Sequence, residues 1–223
     1  MPPFSAEPDL SERIHDVLVD AICSGEYKPG ARITQEELAA HFGVSRQPVL
    51  QAMMLLRREG FLVEAGRKGV CVAPLDTQLA RNLYIVRAAL DGAAARLAAG
   101  RYTPELARQG RRLLEVGQRA AASGHVPSAI AADIDFHLFI YEASGNPLLA
   151  ETAQPHWQHL RRVMAAVLGE DDLRINVWGE HEGILRALEA GDAREAEALI
   201  RDHAEQAADV LAERLSPNVS NAA

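Results

Sequence analysis

Asp133 and His137 stand four residues apart, so on a helix both side chains leave one face with β-carbons about 5–6 Å apart, close enough to share one ion. His181 and His203 fall in two later helical segments, each followed by acidic residues and flanked by apolar positions such as Ile184, Leu185, Leu199 and Ile200. Three imidazoles and one carboxylate converging from three helices would suit a borderline divalent ion, zinc first, with nickel and manganese as alternatives. The same spacing occurs on ordinary helices, where a histidine more often serves structure than chemistry. The residues alone leave both readings open. Asp135 should point away from the face shared by Asp133 and His137.

A different chemistry is offered by residues 43–60. Gly43 closes one helix, Ser45 is placed to cap the next by accepting a backbone N–H bond, and Pro48 falls in the first turn, where its missing N–H does no harm. Val49, Ala52, Met53 and Leu56 repeat at helical spacing and face a core. Arg46, Gln47, Leu50 and Gln51 lie on the other side, a mix of charge, amide and methyl groups able to probe phosphates and base edges in a major groove. An amphipathic helix with a solvated outer face would carry the same pattern. The residues after this helix weigh against that: Phe61–Ala65 and Val70–Ala73 flank Gly66-Arg67-Lys68-Gly69, which reads as a hairpin with a basic tip. Such a tip beside a phosphate backbone supplies affinity without reading sequence. The candidate DNA-facing set is therefore Arg32, Ser45, Arg46, Gln47, Leu50, Gln51, Gly66, Arg67 and Lys68.

These groups need elements to hold them. Residues 1–9 contain three prolines and no periodic pattern and are read as a flexible arm. Ile14, Val17, Leu18, Ala21 and Ile22 form one face of a first helix, ended by Gly25 and Pro29-Gly30. Ala31-Arg32-Ile33 is read as a short strand. Thr34 and Glu37 have capping-box spacing, opening a helix with Leu38, Ala39 and Phe42 inward. Two short helices meeting at Gly43-Val44, followed by the hairpin, make a winged helix-turn-helix over 10–75. From Asp76 onward the pattern is helical, in segments near 77–99, 104–123, 128–144, 146–168, 173–190 and 192–215, with Pro155 expected to kink or divide the fourth. The fold expected is mainly α: the winged domain, then an all-helical bundle over 76–215, then a flexible tail over 216–223.

The totals narrow the function. The 223 residues are 48% hydrophobic and 24% charged, an ordinary globular balance. Neither an apolar run long enough for a bilayer nor a signal-peptide pattern is present, and the two cysteines, Cys23 and Cys71, fit no disulfide framework or zinc pair, so a cytoplasmic protein is expected. A net charge of −8 argues against a chain coated in nucleic acid, but the charge is uneven. Residues 1–75 carry 8 basic and 10 acidic side chains, whereas residues 44–68 carry 5 basic and 2 acidic, a local excess of +3.

From Leu10 to Leu215 the chain resembles the GntR family of bacterial transcription regulators, in particular the FadR subfamily with an FCD effector domain. The N-terminal match rests on Pro29-Gly30, Leu38-Ala39, the run Gly43 to Val49, Leu56, Glu59-Gly60 and Gly66 to Val70. An independent match lies in Arg87 with Asp91, Asp133-Ile134-Asp135-Phe136-His137, Ala143 to Pro147, Glu180-His181, Ala190-Gly191-Asp192 and His203. The resemblance implies a divalent metal held by Asp133, His137, His181 and His203, a small organic acid completing its coordination, and Arg87 as partner to that acid's carboxylate. A salt bridge from Arg87 to Asp91 is the competing reading. Asn146 is explained as a helix cap. The pattern gives His156 and His159, beside Trp157, no part in the metal set, so they are expected in core or pocket lining. The family usually carries arginine and glutamate where this chain has Leu50 and Gln51, and a small threonine or similar residue where it has Gln47, so a different operator is expected.

The function expected is that of a homodimeric repressor on a palindromic operator in double-stranded DNA, since one recognition helix covers too few base pairs for specificity. Alternatives are a regulator responding to the metal itself, or a metal-dependent hydrolytic enzyme. The last lacks a general base or substrate motif in the sequence.

Overall fold

A computed structural model describes residues 9–66, 69–168 and 171–215, with the backbone alone for 171–176. Residues 1–8 of the arm expected over 1–9, the tail over 216–223, and the wing residues Arg67 and Lys68 lie outside the described residues. The chain divides into two compact units, Met1–Leu75 and Asp76–Ala223.

The first unit contains α1 (Leu10–Cys23), β1 (Arg32–Ile33), α2 (Gln35–Phe42), α3 (Arg46–Arg58), β2 (Leu62–Glu64) and β3 (Val70–Val72). The strands form an antiparallel sheet in the order β1-β3-β2, with Val63 opposite Cys71 and Arg32 opposite the same residue on the other side. The wing is thus a true hairpin, braced by the short strand that precedes the helix pair. Its core joins Ile14, Leu18 and Ile22 of α1 to Leu38 of α2, Val49, Ala52, Met53 and Leu56 of α3, and Phe61, Leu62 and Val72. Val17, expected inside, is 51% exposed, and Val19 is buried instead. Gly43 takes the left-handed conformation at φ 66°, letting the amides of Gly43 and Val44 close the end of α2 before α3 begins.

Thr34 caps α2 as expected, its hydroxyl oxygen accepting from the Glu37 amide at 3.2 Å. Ser45 does not cap α3 with its side chain. The reason is local: a cap bonds the second or third amide of the helix, and the third position here is Pro48, which has no N–H. Instead the Gln35 side chain donates to the Arg46 carbonyl at 2.7 Å, joining the two helices of the motif.

The second unit contains α4 (Thr77–Ala99), α5 (Pro104–Ala122), α6 (Val126–Ser144), α7 (Pro147–Val167), α8 (Asp171–Glu189) and α9 (Ala193–Leu215). Small residues set its closest approach. Ala80, Ala88, Gly92, Ala95 and Ala99 on α4 meet α9, where Ala196, Ala204 and Ala212 are buried, and a β-carbon on Gly92 would stand 2.8 Å from the Arg201 side chain. α5 packs on α6 and α8. There Gly117 makes room for Trp178: a β-carbon at that position would lie 1.8 Å from its ring. Asn146 caps α7 by accepting from the Leu148 amide. α7 runs continuously through Pro155 and is not divided. That proline lies on an exposed face, where water can serve the carbonyl it leaves unbonded. Among the described residues no helix is long and apolar enough to cross a membrane.

Candidate functional site

Asp133 and His137 project from α6, His181 from α8 and His203 from α9, and one donor atom from each lies within 4.8 Å of all the others. All four residues are buried, at 8, 1, 0 and 4% exposure respectively. Asp135 is exposed on the opposite side of α6. His156 and His159 are half-buried on α7 and stand outside the group, while Trp157 between them is buried and its ring lies 5.6 Å from that of His137.

The hydrogen bonding around the cluster orients two imidazoles for coordination. His203 Nδ1 lies 2.7 Å from the Glu180 carboxylate, which only accepts, so Nδ1 carries the proton and Nε2 keeps its lone pair. His137 Nε2 lies 2.5 Å from an Arg87 nitrogen, which only donates, so Nε2 is again the lone-pair nitrogen. Its Nδ1 stands 3.0 Å from Asp91 Oδ2, at ion-pair distance but outside hydrogen-bond alignment. A carboxylate behind each ring is the usual arrangement for fixing a metal-binding tautomer. Neither nitrogen of His181 has a hydrogen-bond partner, nor does Asp133 Oδ2, and all three atoms are buried. His181 Nε2 and Asp133 Oδ1 are 3.5 Å apart.

These donors fit a divalent ion. Bonds of about 2.0–2.1 Å to nitrogen and oxygen place neighbouring ligands of a tetrahedral centre roughly 3.3 Å apart, within reach of the spacing here. Buried polar atoms without partners cost about 1–3 kcal/mol each, a cost that coordination would remove. Two of the imidazoles are also biased toward the neutral form that a ligand needs. Burial, then the neighbouring His203, His137 and Arg87, push the His181 pKa well below the ordinary value. Burial and Arg87 also lower His137, against the opposing pull of Asp91. Ring packing holds the set in place: Phe136 stacks on His181 at 4.1 Å, and Trp178 meets the same ring edge-on at 4.7 Å.

Arg87, on α4, is 4% exposed and makes the salt bridge to Asp91 that its spacing allows. Its Nε donates to Asp91 at 3.2 Å, the i to i+4 salt bridge, while its terminal nitrogen reaches His137 and lies 3.6 Å from Asp133. The guanidinium sits over Trp157 at 4.9 Å and over Tyr84 at 5.3 Å. Burial alone would raise the Asp91 pKa, but His137, Arg87 and the hydrogen bond from Tyr141 hold it down to about 2. A cavity of about 220 Å³ opens beside the cluster, with Arg87, Asp133, His203 and Tyr84 in its lining. Tyr84, Asp91, Tyr141 and Glu180 were not assigned to the site from sequence. For Asp91 the signal was its position one turn from Arg87, whereas the contact of Glu180 with His203 spans 23 residues and has no local signature.

In the first unit, Ser45, Arg46, Gln47, Leu50 and Gln51 are all exposed along one side of α3, opposite its four buried residues, and Arg32 is exposed on β1. Arg46 forms an exposed ion pair with Glu36 at 3.1 Å. Such a pair is worth at most about 1 kcal/mol and is readily exchanged for a phosphate. Gly66 and Gly69, at φ 58° and 82°, form the wing turn in a conformation other residues rarely adopt.

A winged helix-turn-helix followed by a separate helical unit with a buried ligand-type cluster defines a class, the DNA-binding transcription regulators with a sensor domain. Comparison with known proteins identifies the family. Residues 10–72 match "Bacterial regulatory proteins, gntR family" and residues 82–206 match the FCD domain. The chain is 30% identical over 216 residues to the Uxu operon transcriptional regulator of Escherichia coli (strain K12), covering 87% of this chain and 83% of that protein. It is 29% identical over 197 residues to the probable D-xylose utilization operon transcriptional repressor of Paenarthrobacter nicotinovorans, covering 87% and 85%. In structure it is similar to E. coli McbR/YncC, with a TM-score of 0.78 at 23% identity over 93% of this chain and 99% of that one. A putative GntR regulator from Rhodococcus sp. RHA1 gives 0.77 at 23% identity over 92% and 98%. The chain belongs to the GntR family and carries an FCD domain; it is a DNA-binding transcriptional regulator, not an enzyme.

Proposed function

We propose that this regulator is a cytoplasmic homodimeric repressor whose operator affinity is set by a small carboxylate metabolite bound at a divalent metal held by Asp133, His137, His181 and His203. The observation that carries the reading is the convergence of four buried donors, several without partners, beside a buried arginine and a cavity. Zinc suits three imidazoles and one carboxylate best. When bound, it would offer an open coordination position to a carboxylate oxygen.

Arg87 couples the two events. Its terminal nitrogen lies 2.5 Å from His137 Nε2, the nitrogen that would bind the metal. With its Nε donating to Asp91, the guanidinium would offer its terminal nitrogens to an incoming carboxylate beside the residues that would hold the metal. α4 carries this residue and is the first helix after the DNA-binding unit in the chain. A ligand that binds one arrangement of Arg87 more tightly shifts the population of conformers, and by linkage the affinity for DNA.

For the DNA end we assign Arg46, Gln47, Leu50 and Gln51 to the major groove, with Arg32, Ser45, Gly66, Arg67 and Lys68 on the backbone. Leu50 suits a thymine methyl, and either glutamine suits an adenine edge. Support for a dimer comes from an exposed apolar stripe on α4. Leu79, Val86, Ala93 and Leu97 fall within roughly 40° of one another around the helix, and the three large residues are 40–44% exposed. Metal analysis of the purified full chain tests the core of the reading. About one zinc per chain, removed by a chelator and restored by zinc, is expected; a chain that takes up none would refute the metal site.

A further inference from the structure

We propose that the acid taken by this site is a monocarboxylate with an apolar alkyl or aryl body, and that polyhydroxylated acids such as sugar acids are rejected. This rests on the effector reading and adds the class of ligand to it. The argument comes from the uneven lining of the 220 Å³ cavity. Its charged and polar groups gather at one end, where Arg87, Tyr84, Asp133 and His203 lie beside the donor cluster. The rest of the wall is Met164, Leu168, Val177, Trp178, Val210 and Leu211. Among the described lining residues, polar atoms beyond the cluster come only from Glu180, Gln206 and the Trp178 indole N–H, and the Glu180 carboxylate already accepts from His203.

The two ends make different demands. A carboxylate is met by a guanidinium and by the open coordination position, so its charge is matched as it leaves water. The body of the ligand then lies against hydrocarbon and the indole face. Each hydroxyl placed there without a partner loses its water and gains nothing, so several hydroxyls compound the penalty, and one glutamine and one indole N–H cannot answer them all. Size agrees: a dry apolar cavity of about 150 Å³ admits benzene, so this one has room for a ring or a branched chain as well as the carboxylate. The wall is also well packed. Trp178 is seated on Gly117 with no space for a β-carbon and is 4% exposed, so its ring is packed on the side away from the cavity.

The test is calorimetric titration of the zinc-loaded full chain with four probes: phenylacetate, hexanoate, glucuronate and gluconate. Phenylacetate or hexanoate should bind at least tenfold more tightly than either sugar acid. Val210→Asn should reduce that preference about tenfold while zinc stoichiometry stays unchanged. Sugar acids binding as tightly as the apolar ones, with zinc in place, would overturn the ligand class and leave the effector reading standing. Zinc uptake with no response to any of the four acids would overturn the effector reading, and this proposal with it. If the chain takes up no zinc, the same titrations against the metal-free chain, where Arg87 remains, decide the ligand class separately.

Discussion

His181→Leu should make the metal-free protein more stable and the zinc-loaded protein less stable, a crossover that an ordinary core residue would not give. His181 has no exposed surface, and neither ring nitrogen has a partner. Each unpaired buried polar atom costs about 1–3 kcal/mol, and leucine of similar size removes both. Against this stand the stacking on Phe136 at 4.1 Å and the edge contact with Trp178, together worth about 1–2 kcal/mol. Taking the low end of each range, about 2 kcal/mol removed against about 1 lost, the balance is a gain of about 1 kcal/mol, or roughly 3 °C in the unfolding of a helical unit this size. With zinc the order reverses. A ligand present at about a hundred times its dissociation constant adds about 2.7 kcal/mol to the protein that binds it and nothing to one that does not. The assay is thermal unfolding by circular dichroism in chelator and in zinc. A variant less stable than the parent by more than about 1 kcal/mol in chelator, or raised equally by zinc, would refute the reasoning.

Three further outcomes rest on the same kind of contact. Glu180→Gln presents His203 Nδ1 with an amide that can donate as well as accept; zinc affinity measured by competition should fall about 10–100-fold with stoichiometry retained. Arg46→Ala breaks only an exposed pair with Glu36, so stability should stay within about 0.5 kcal/mol, while operator affinity should fall by about 1–3 kcal/mol and preference at the contacted base pair should relax, read by fluorescence anisotropy. His15 lies 2.7 Å from Glu59 and 3.0 Å from Asp16; burial lowers its pKa, but these two acids together raise it above the ordinary 6.5. A raised folded pKa gives stability that is complete below pH 6.5 and lost as pH rises through the folded value, so His15→Gln should abolish that decline. Because the pair is partly solvated, the loss is under about 1 kcal/mol, visible as a small pH-dependent shift in the unfolding temperature.

Much of the fold is written locally, and those parts are legible in the sequence. Gly43, Thr34, Asn146 and Gly145 mark helix ends through their own backbone and side-chain bonding, and the stripe Val49, Ala52, Met53, Leu56 needs only helical periodicity. Where local rules conflict, the sequence misleads. Ser45 looks like a cap until Pro48 is seen to remove the amide it would bind. Val17 fits the apolar face of α1 as well as Val19 does, and only packing against α3 and the sheet decides between them. Within the site, Asp133 and His137 are joined by spacing, but nothing local brings His181 and His203 to them; that depends on α4, α6, α8 and α9 meeting as they do, and the resemblance to a family supplied it. Glu180 has no local signature for the same reason, since its partner His203 lies 23 residues along the chain.

Linked control of DNA by the helical unit is tested most directly by one anisotropy titration. The zinc-loaded full chain is titrated onto a DNA fragment it has itself selected from a random pool, with and without a saturating acid whose binding calorimetry has confirmed. The account predicts that the acid weakens DNA binding at least about fivefold, the lower end of ordinary coupling between sites. Unchanged DNA affinity with the acid bound would contradict it.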